Sequence, residues 1–130
     1  MPDRPLSPHV TVYKWGYTMT LSILHRISGI TLSFALIGFV YWLMAAASGA
    51  EAYASAMSVL GSGLFKCLIA IALLALTYHF FNGLRHLGWD LGVGFERVQA
   101  RRSAVVVVVV TLLAAVILIY ALFRAGGGSA

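Results

Sequence analysis

His79 sits among Leu74, Leu76, Tyr78, Phe80 and Phe81, where an imidazole is costly to bury unless its nitrogens find partners. On a helix, Asn82, Gly83 and His86 follow it at i+3, i+4 and i+7 along one face. Two chemistries suit that pattern. A neutral imidazole can bond a neighbouring helix, or it can be an axial ligand of haem iron, since a porphyrin needs an apolar slot. Gly83 leaves room for a flat ring or for a close helix. His79 and His86 stack about 10 Å apart along one helix face, so they cannot sandwich one haem. A second axial ligand must come from another helix, either from His25 of this chain or from a histidine of a partner subunit.

The other polar cluster is "SILHRISG" at 22–29. Ser22 and Arg26 are i and i+4 and share a helix face, while His25 points about 100° away from Arg26. Arginine stays charged and offers several donors, and serine adds a hydroxyl. Together they suit the carbonyl oxygen of a quinone head or its anionic half-reduced form. His25 suits a haem propionate. The plainer alternative makes His25 and Arg26 interfacial anchors at a helix end.

These groups need elements to hold them, and the composition says which. The 130 residues are 61% apolar and only 10% charged, against about 25% charged in a soluble domain. No formally charged residue occurs in 27–50, 67–84 or 103–123. Each block can supply the roughly 20 residues that cross a hydrocarbon core of about 30 Å. The expected fold is therefore an all-α integral membrane protein with three transmembrane helices, at about 20–47, 64–87 and 103–123. The Val105 to Val110 run would suggest a strand in water, but in lipid every backbone group must bond within its segment, so helix wins. Residues 1–20 hold Pro2, Pro5 and Pro8 and read as an irregular arm. Residues 48–63 form a small-residue connection, part of it helical, and 124–130 a flexible tail. The whole reads as one membrane-anchor domain, with too few helices to enclose much without partner helices. A cleavable signal peptide is a poor reading of the first block, which is long and has some two dozen residues ahead of it.

The net charge of +5 encodes topology. Arg4, Lys14 and Arg26 precede or open the first span, Arg85, Arg97, Arg101 and Arg102 lie around the second connection, and only Lys66 and Arg124 fall at the opposite ends. By the positive-inside rule the N-terminus is cytoplasmic and the C-terminus outside. Nucleic acid is a poor partner for charge so arranged. Cys67 is the one cysteine, which excludes an internal disulfide, an iron–sulfur cluster held by this chain alone and C-x-x-C-H haem attachment. The expected spans hold no Asp or Glu, which weighs against a proton-coupled transporter. The sequence also lacks a filter-like motif, a nucleotide loop and a nucleophile with its base.

Three motifs, "RPLSPHVTVY" at 4–13, "SILHRISG" at 22–29 and "YHFFNGLRHLGWD" at 78–90, resemble those of the large cytochrome b membrane anchors of succinate dehydrogenase, respiratory complex II. The resemblance implies half of a heterodimeric haem-binding anchor bundle. It makes His79 an axial ligand of haem b, with the other ligand on a small anchor subunit. It places Ser22, Arg26 and Ile23 at the ubiquinone site, and His25, Arg26 and His86 on the haem-propionate side; Asp90 also matches the motif. It implies a flavoprotein carrying FAD, an iron–sulfur subunit and membrane lipid as partners, with succinate oxidised away from this chain. The motifs look more like the mitochondrial and alphaproteobacterial form. The lack of an Arg- and Ser-rich transit segment before the first motif favours a bacterial inner membrane. The alternatives are the anchor of a quinol:fumarate reductase and a haem-free structural anchor.

Overall fold

The structure is a computed structural model and describes residues 16–125. The motif at 4–13, most of the expected arm and most of the expected tail lie outside the described residues. Among the described residues the chain forms four helices and no strand: α1 (Tyr17–Ala47), α2 (Ala50–Leu60), α3 (Gly63–Asp90) and α4 (Arg97–Ala125). Three of them, Tyr17–Ala47, Gly63–Asp90 and Arg97–Arg124, are long and apolar enough to cross a membrane. The chain is an all-α integral membrane protein. The β-branched run of residues 105–110 is helical, as the backbone demands of a segment in hydrocarbon.

The helices exceed the apolar blocks. At 1.5 Å per residue, α1 runs about 46 Å and α3 about 42 Å, against an apolar core of about 30 Å. Helix α1 starts at Tyr17, where the Gly16 carbonyl accepts from the Met19 and Thr20 amides at 3.0 and 3.2 Å. Helix α4 starts at Arg97, six residues before its charge-free block, because arginine and glutamine continue a helix readily outside the bilayer. Between α1 and α2 the chain turns at Gly49 with φ of 109°, a backbone conformation that glycine adopts without strain.

Helix α3 packs against both α1 and α4, and α1 meets α4 more lightly. The α4 seam is Ala100, Ala104, Val107, Thr111 and Ala115, all buried and stepping by three and four residues along one face. Large apolar side chains such as Phe34, Ile37, Leu64, Val116 and Ile117 are exposed. Small and polar groups inside with bulky groups outside is the arrangement that lipid favours, because small residues let helix backbones approach. The N-terminal end of α1, the C-terminal half of α3 and the N-terminal end of α4 lie together, tied by Tyr78 Oη donating to the Leu21 carbonyl (2.6 Å) and Tyr17 Oη donating to the Arg97 carbonyl (3.3 Å). Arg26, Arg85, Arg97, Arg101 and Arg102 therefore gather at one end of the bundle.

Candidate functional site

The α1–α3 packing brings three histidines together at that basic end. The His25 and His79 rings stack with centroids 4.0 Å apart and planes within 10°, and His86 lies 5.0 Å from His25 at 47°. His25 of α1 thus fits between two histidines that stand seven residues apart on α3. Two glycines allow the approach. A Cβ on Gly83 would lie 3.7 Å from His25 Cε1, and one on Gly29 only 3.2 Å from His79 Cε1.

The hydrogen bonds fix which nitrogen of His79 carries its proton. Ser28 Oγ is 2.7 Å from the His25 carbonyl oxygen, which only accepts, so the hydroxyl donates its single proton there. His79 Nδ1 is 3.0 Å from the same Ser28 Oγ and 3.3 Å from the same carbonyl. Both partners are then acceptors, so Nδ1 bears the hydrogen. Among the described residues nothing engages the Nε2 lone pair of His79. Nδ1–H held by an oxygen with Nε2 open is how metal-bound histidines are usually braced.

Stacked rings do not share a metal. An imidazole lone pair lies in the ring plane, so the lone pairs of two rings stacked at 4.0 Å lie in separate, nearly parallel planes and cannot point at one metal from opposite sides. That geometry disfavours His25 as a second axial ligand opposite His79. Among the described residues no three His, Cys, Asp or Glu side chains are arranged to hold a metal ion. One free imidazole nitrogen fits instead a metal whose equatorial ligands come from a macrocycle. The cluster also keeps unused hydrogen-bonding capacity, since His25 Nδ1 and both amide atoms of the fully buried Asn82 have no partner among the described residues. These residues fit a haem with its polar edge substituents.

The remaining expected residues sit apart from the histidines. Ser22 and Ile23 are half-buried on α1, and Arg26 is exposed one helical step beyond His25. His25 faces α3, and Arg26 follows it about 100° around the helix. Asp90 is exposed at the last residue of α3 and Cys67 is exposed near its start. A groove of about 1170 Å³ opens between the start of α1 and the start of α4, among Tyr17, Trp89, Phe95, Arg97 and Arg101. None of Ser22, Ile23, Arg26 or His79 lines it.

Two residues gain importance only in three dimensions. Ser28 follows His25 by three, a spacing at which a hydroxyl returns to the backbone carbonyl; that spacing was available in the sequence. Arg85 counted only as a topological charge, yet it is 8% exposed. Its Nε donates to Ser103 Oγ at 3.0 Å, its Nη2 to the Ala100 carbonyl at 3.2 Å, and its guanidinium lies 4.0 Å over the Trp89 ring. It staples α3 to α4.

Comparison with known proteins gives the family. Residues 1–119 match the family described as succinate dehydrogenase/fumarate reductase transmembrane subunit. The chain is 43% identical over 96 residues to the succinate dehydrogenase cytochrome b556 subunit of Rickettsia prowazekii (strain Madrid E), covering 71% of each chain. It is 39% identical over 102 residues to the subunit of that name from Paracoccus denitrificans, covering 78% of each. It is 39% identical over 105 residues to the mitochondrial succinate dehydrogenase cytochrome b560 subunit of Homo sapiens, covering 79% of this chain and 62% of the human one. The chain belongs to the succinate dehydrogenase/fumarate reductase transmembrane subunit family.

Proposed function

We propose that this member of the family is the cytochrome b anchor of a succinate:ubiquinone oxidoreductase in a bacterial inner membrane. It holds haem b jointly with a small anchor subunit and forms part of the site where ubiquinone is reduced. Succinate is oxidised at FAD in a separate flavoprotein, and an iron–sulfur subunit delivers the electrons. The observation that carries the reading is His79, braced at Nδ1 by two oxygens with Nε2 unengaged among the described residues. When bound, haem supplies a one-electron redox centre beside the quinone site.

This chain's own residues then have distinct tasks. His79 would offer Nε2 to the iron of a bound haem, and its Nδ1–H holds the ring in one orientation. His25 packs flat on that ring and, with haem bound, would offer Nδ1 to a propionate, a task that His86 and Arg26 would share. Ser22 and Arg26, on one face of α1, donate hydrogen bonds to a quinone carbonyl, and Ile23 forms a wall. The exposure of Arg26 supports this, since among the described residues nothing covers it. The gathering of arginines at one bundle end supports a cytoplasmic N-terminus and a periplasmic C-terminus, with the soluble subunits docking at the cytoplasmic end.

The test is a reduced-minus-oxidised visible spectrum of the detergent-solubilised complex, in wild type and His79→Ala. Expected are b-type bands that vanish or weaken strongly in the variant. Bands that survive the substitution would move the ligand elsewhere. A wild-type complex without such bands would leave a bare structural anchor.

A further inference from the structure

We infer that Ser28 is the positioning residue of the haem ligand, orienting His79 and setting how strongly its Nε2 donates to iron. The inference rests on the reading of His79 as that ligand. Ser28 is 6% exposed, so water does not compete for its hydroxyl. Its one proton goes to the His25 carbonyl at 2.7 Å, three residues back on the same helix. That bond sets the side-chain rotamer and turns an oxygen lone pair toward His79 Nδ1, 3.0 Å away. The reverse assignment, with Ser28 donating to Nδ1, would leave two acceptor oxygens 2.7 Å apart with no hydrogen between them.

Two consequences follow for the ring. An imidazole that donates from Nδ1 to a well-placed acceptor is more basic at Nε2. A more basic axial nitrogen favours ferric over ferrous iron and so lowers the haem midpoint potential. The bond also fixes the ring's rotation about its metal-binding axis. The His25 carbonyl, at 3.3 Å from Nδ1, is a weaker second acceptor that a Ser28 substitution leaves in place. Losing one of two acceptors puts the expected cost near the low end of the 10–100-fold range for such partners, a roughly tenfold weaker hold on haem.

The experiment uses the intact detergent-solubilised complex carrying Ser28→Ala, Ser28→Thr and, separately, His79→Ala. The readouts are the midpoint potential by redox titration, the low-spin ferric EPR spectrum and the rate of haem loss to an excess haem acceptor. Ser28→Ala should raise the potential, shift the EPR g-values and speed haem loss about tenfold; Ser28→Thr, which keeps the hydroxyl, should restore all three. Unchanged potential and EPR in Ser28→Ala, with bands lost in His79→Ala, would overturn the role of Ser28 alone. Bands that persist in His79→Ala would remove the reading of His79 and the role of Ser28 with it. A shift in Ser28→Ala that threonine does not reverse would assign the effect to packing and overturn the inference. Should Ser28→Ala retain no haem to titrate, Ser28→Cys, with a weaker acceptor of similar size, must raise the potential; an unshifted Cys variant overturns the inference.

Discussion

A single methyl group at Gly29 tests whether the histidine stack is as tightly built as it looks. A Cβ there would stand 3.2 Å from His79 Cε1 and 3.7 Å from its Nδ1. Carbon atoms prefer about 3.5–4.0 Å, so the ring must retreat by a few tenths of an ångström or more. The ring has little freedom to do so, with His25 stacked on it at 4.0 Å and Ser28 holding Nδ1 at 3.0 Å. Overpacking of this kind costs about 1–3 kcal/mol. Replacing glycine inside a helix with alanine returns about 1 kcal/mol of helix propensity. That gain is common to the haem-loaded and haem-free states and cancels when haem retention is measured.

The crowding does not cancel, because a haem-free ring can still turn aside by its remaining freedom and a ring bound to iron cannot. Gly29→Ala should therefore bind haem roughly 5- to 150-fold more weakly, the ratio that 1–3 kcal/mol represents. Gly38→Ala is the matched control on the same helix, because a Cβ there meets nothing within 4 Å. The assay is haem transfer from the solubilised complex to an excess acceptor, followed in the visible spectrum. Gly38→Ala should match wild type. Equal haem loss in the two variants, or retention by Gly29→Ala within twofold of wild type, would refute the argument that the α1 backbone crowds the ligand.

Two further outcomes come from neighbouring features. Arg85→Met keeps the aliphatic stem but removes the bonds to Ser103 and the Ala100 carbonyl and the contact with Trp89; interhelical bonds in membranes are worth about 0.6–1.7 kcal/mol each and the cation–π contact about 1 kcal/mol. Losing the buried Nη1, which has no partner among the described residues, offsets about 1–3 kcal/mol of that, so a net loss of about 1–2 kcal/mol is expected by denaturant titration in detergent, with the haem spectrum unmoved; a stability equal to wild type would remove Arg85 as a staple. Ser22→Ala should raise KM for ubiquinone about 2- to 13-fold, the ratio for a neutral hydrogen bond of about 0.5–1.5 kcal/mol, and leave the b-type bands intact; unaltered quinone kinetics would take Ser22 out of that site.

What sequence reading reached and where it stopped have one physical cause. The spans are legible because hydrocarbon excludes charge, and three charge-free blocks leave little choice. The rotation of each helix is not legible in the same way. A helix in lipid is apolar all round, so no amphipathic stripe marks the face that packs. Helical periodicity could put His79 and His86 on one face of α3, but that His25 lies between them depends on how α1 is turned against α3. Arg85 shows the same gap from the other side. As a cation near the end of an apolar block it counts toward topology, and nothing in a charge count says that it points between α3 and α4 rather than toward solvent. The information that sets rotation resides in the small and polar residues. On α4 the buried Ala100, Ala104, Val107, Thr111 and Ala115 recur at steps of four, three, four and four, and what sets them apart from the exposed Val105, Val109, Leu112 and Val116 is mostly smaller or polar side chains. Ser28 obeys the same logic on α1: it is a small polar residue, buried where His25 and α1 meet His79 of α3. In a membrane helix the polar exceptions locate the interface, and here they also locate the histidine ring on which the proposed chemistry depends.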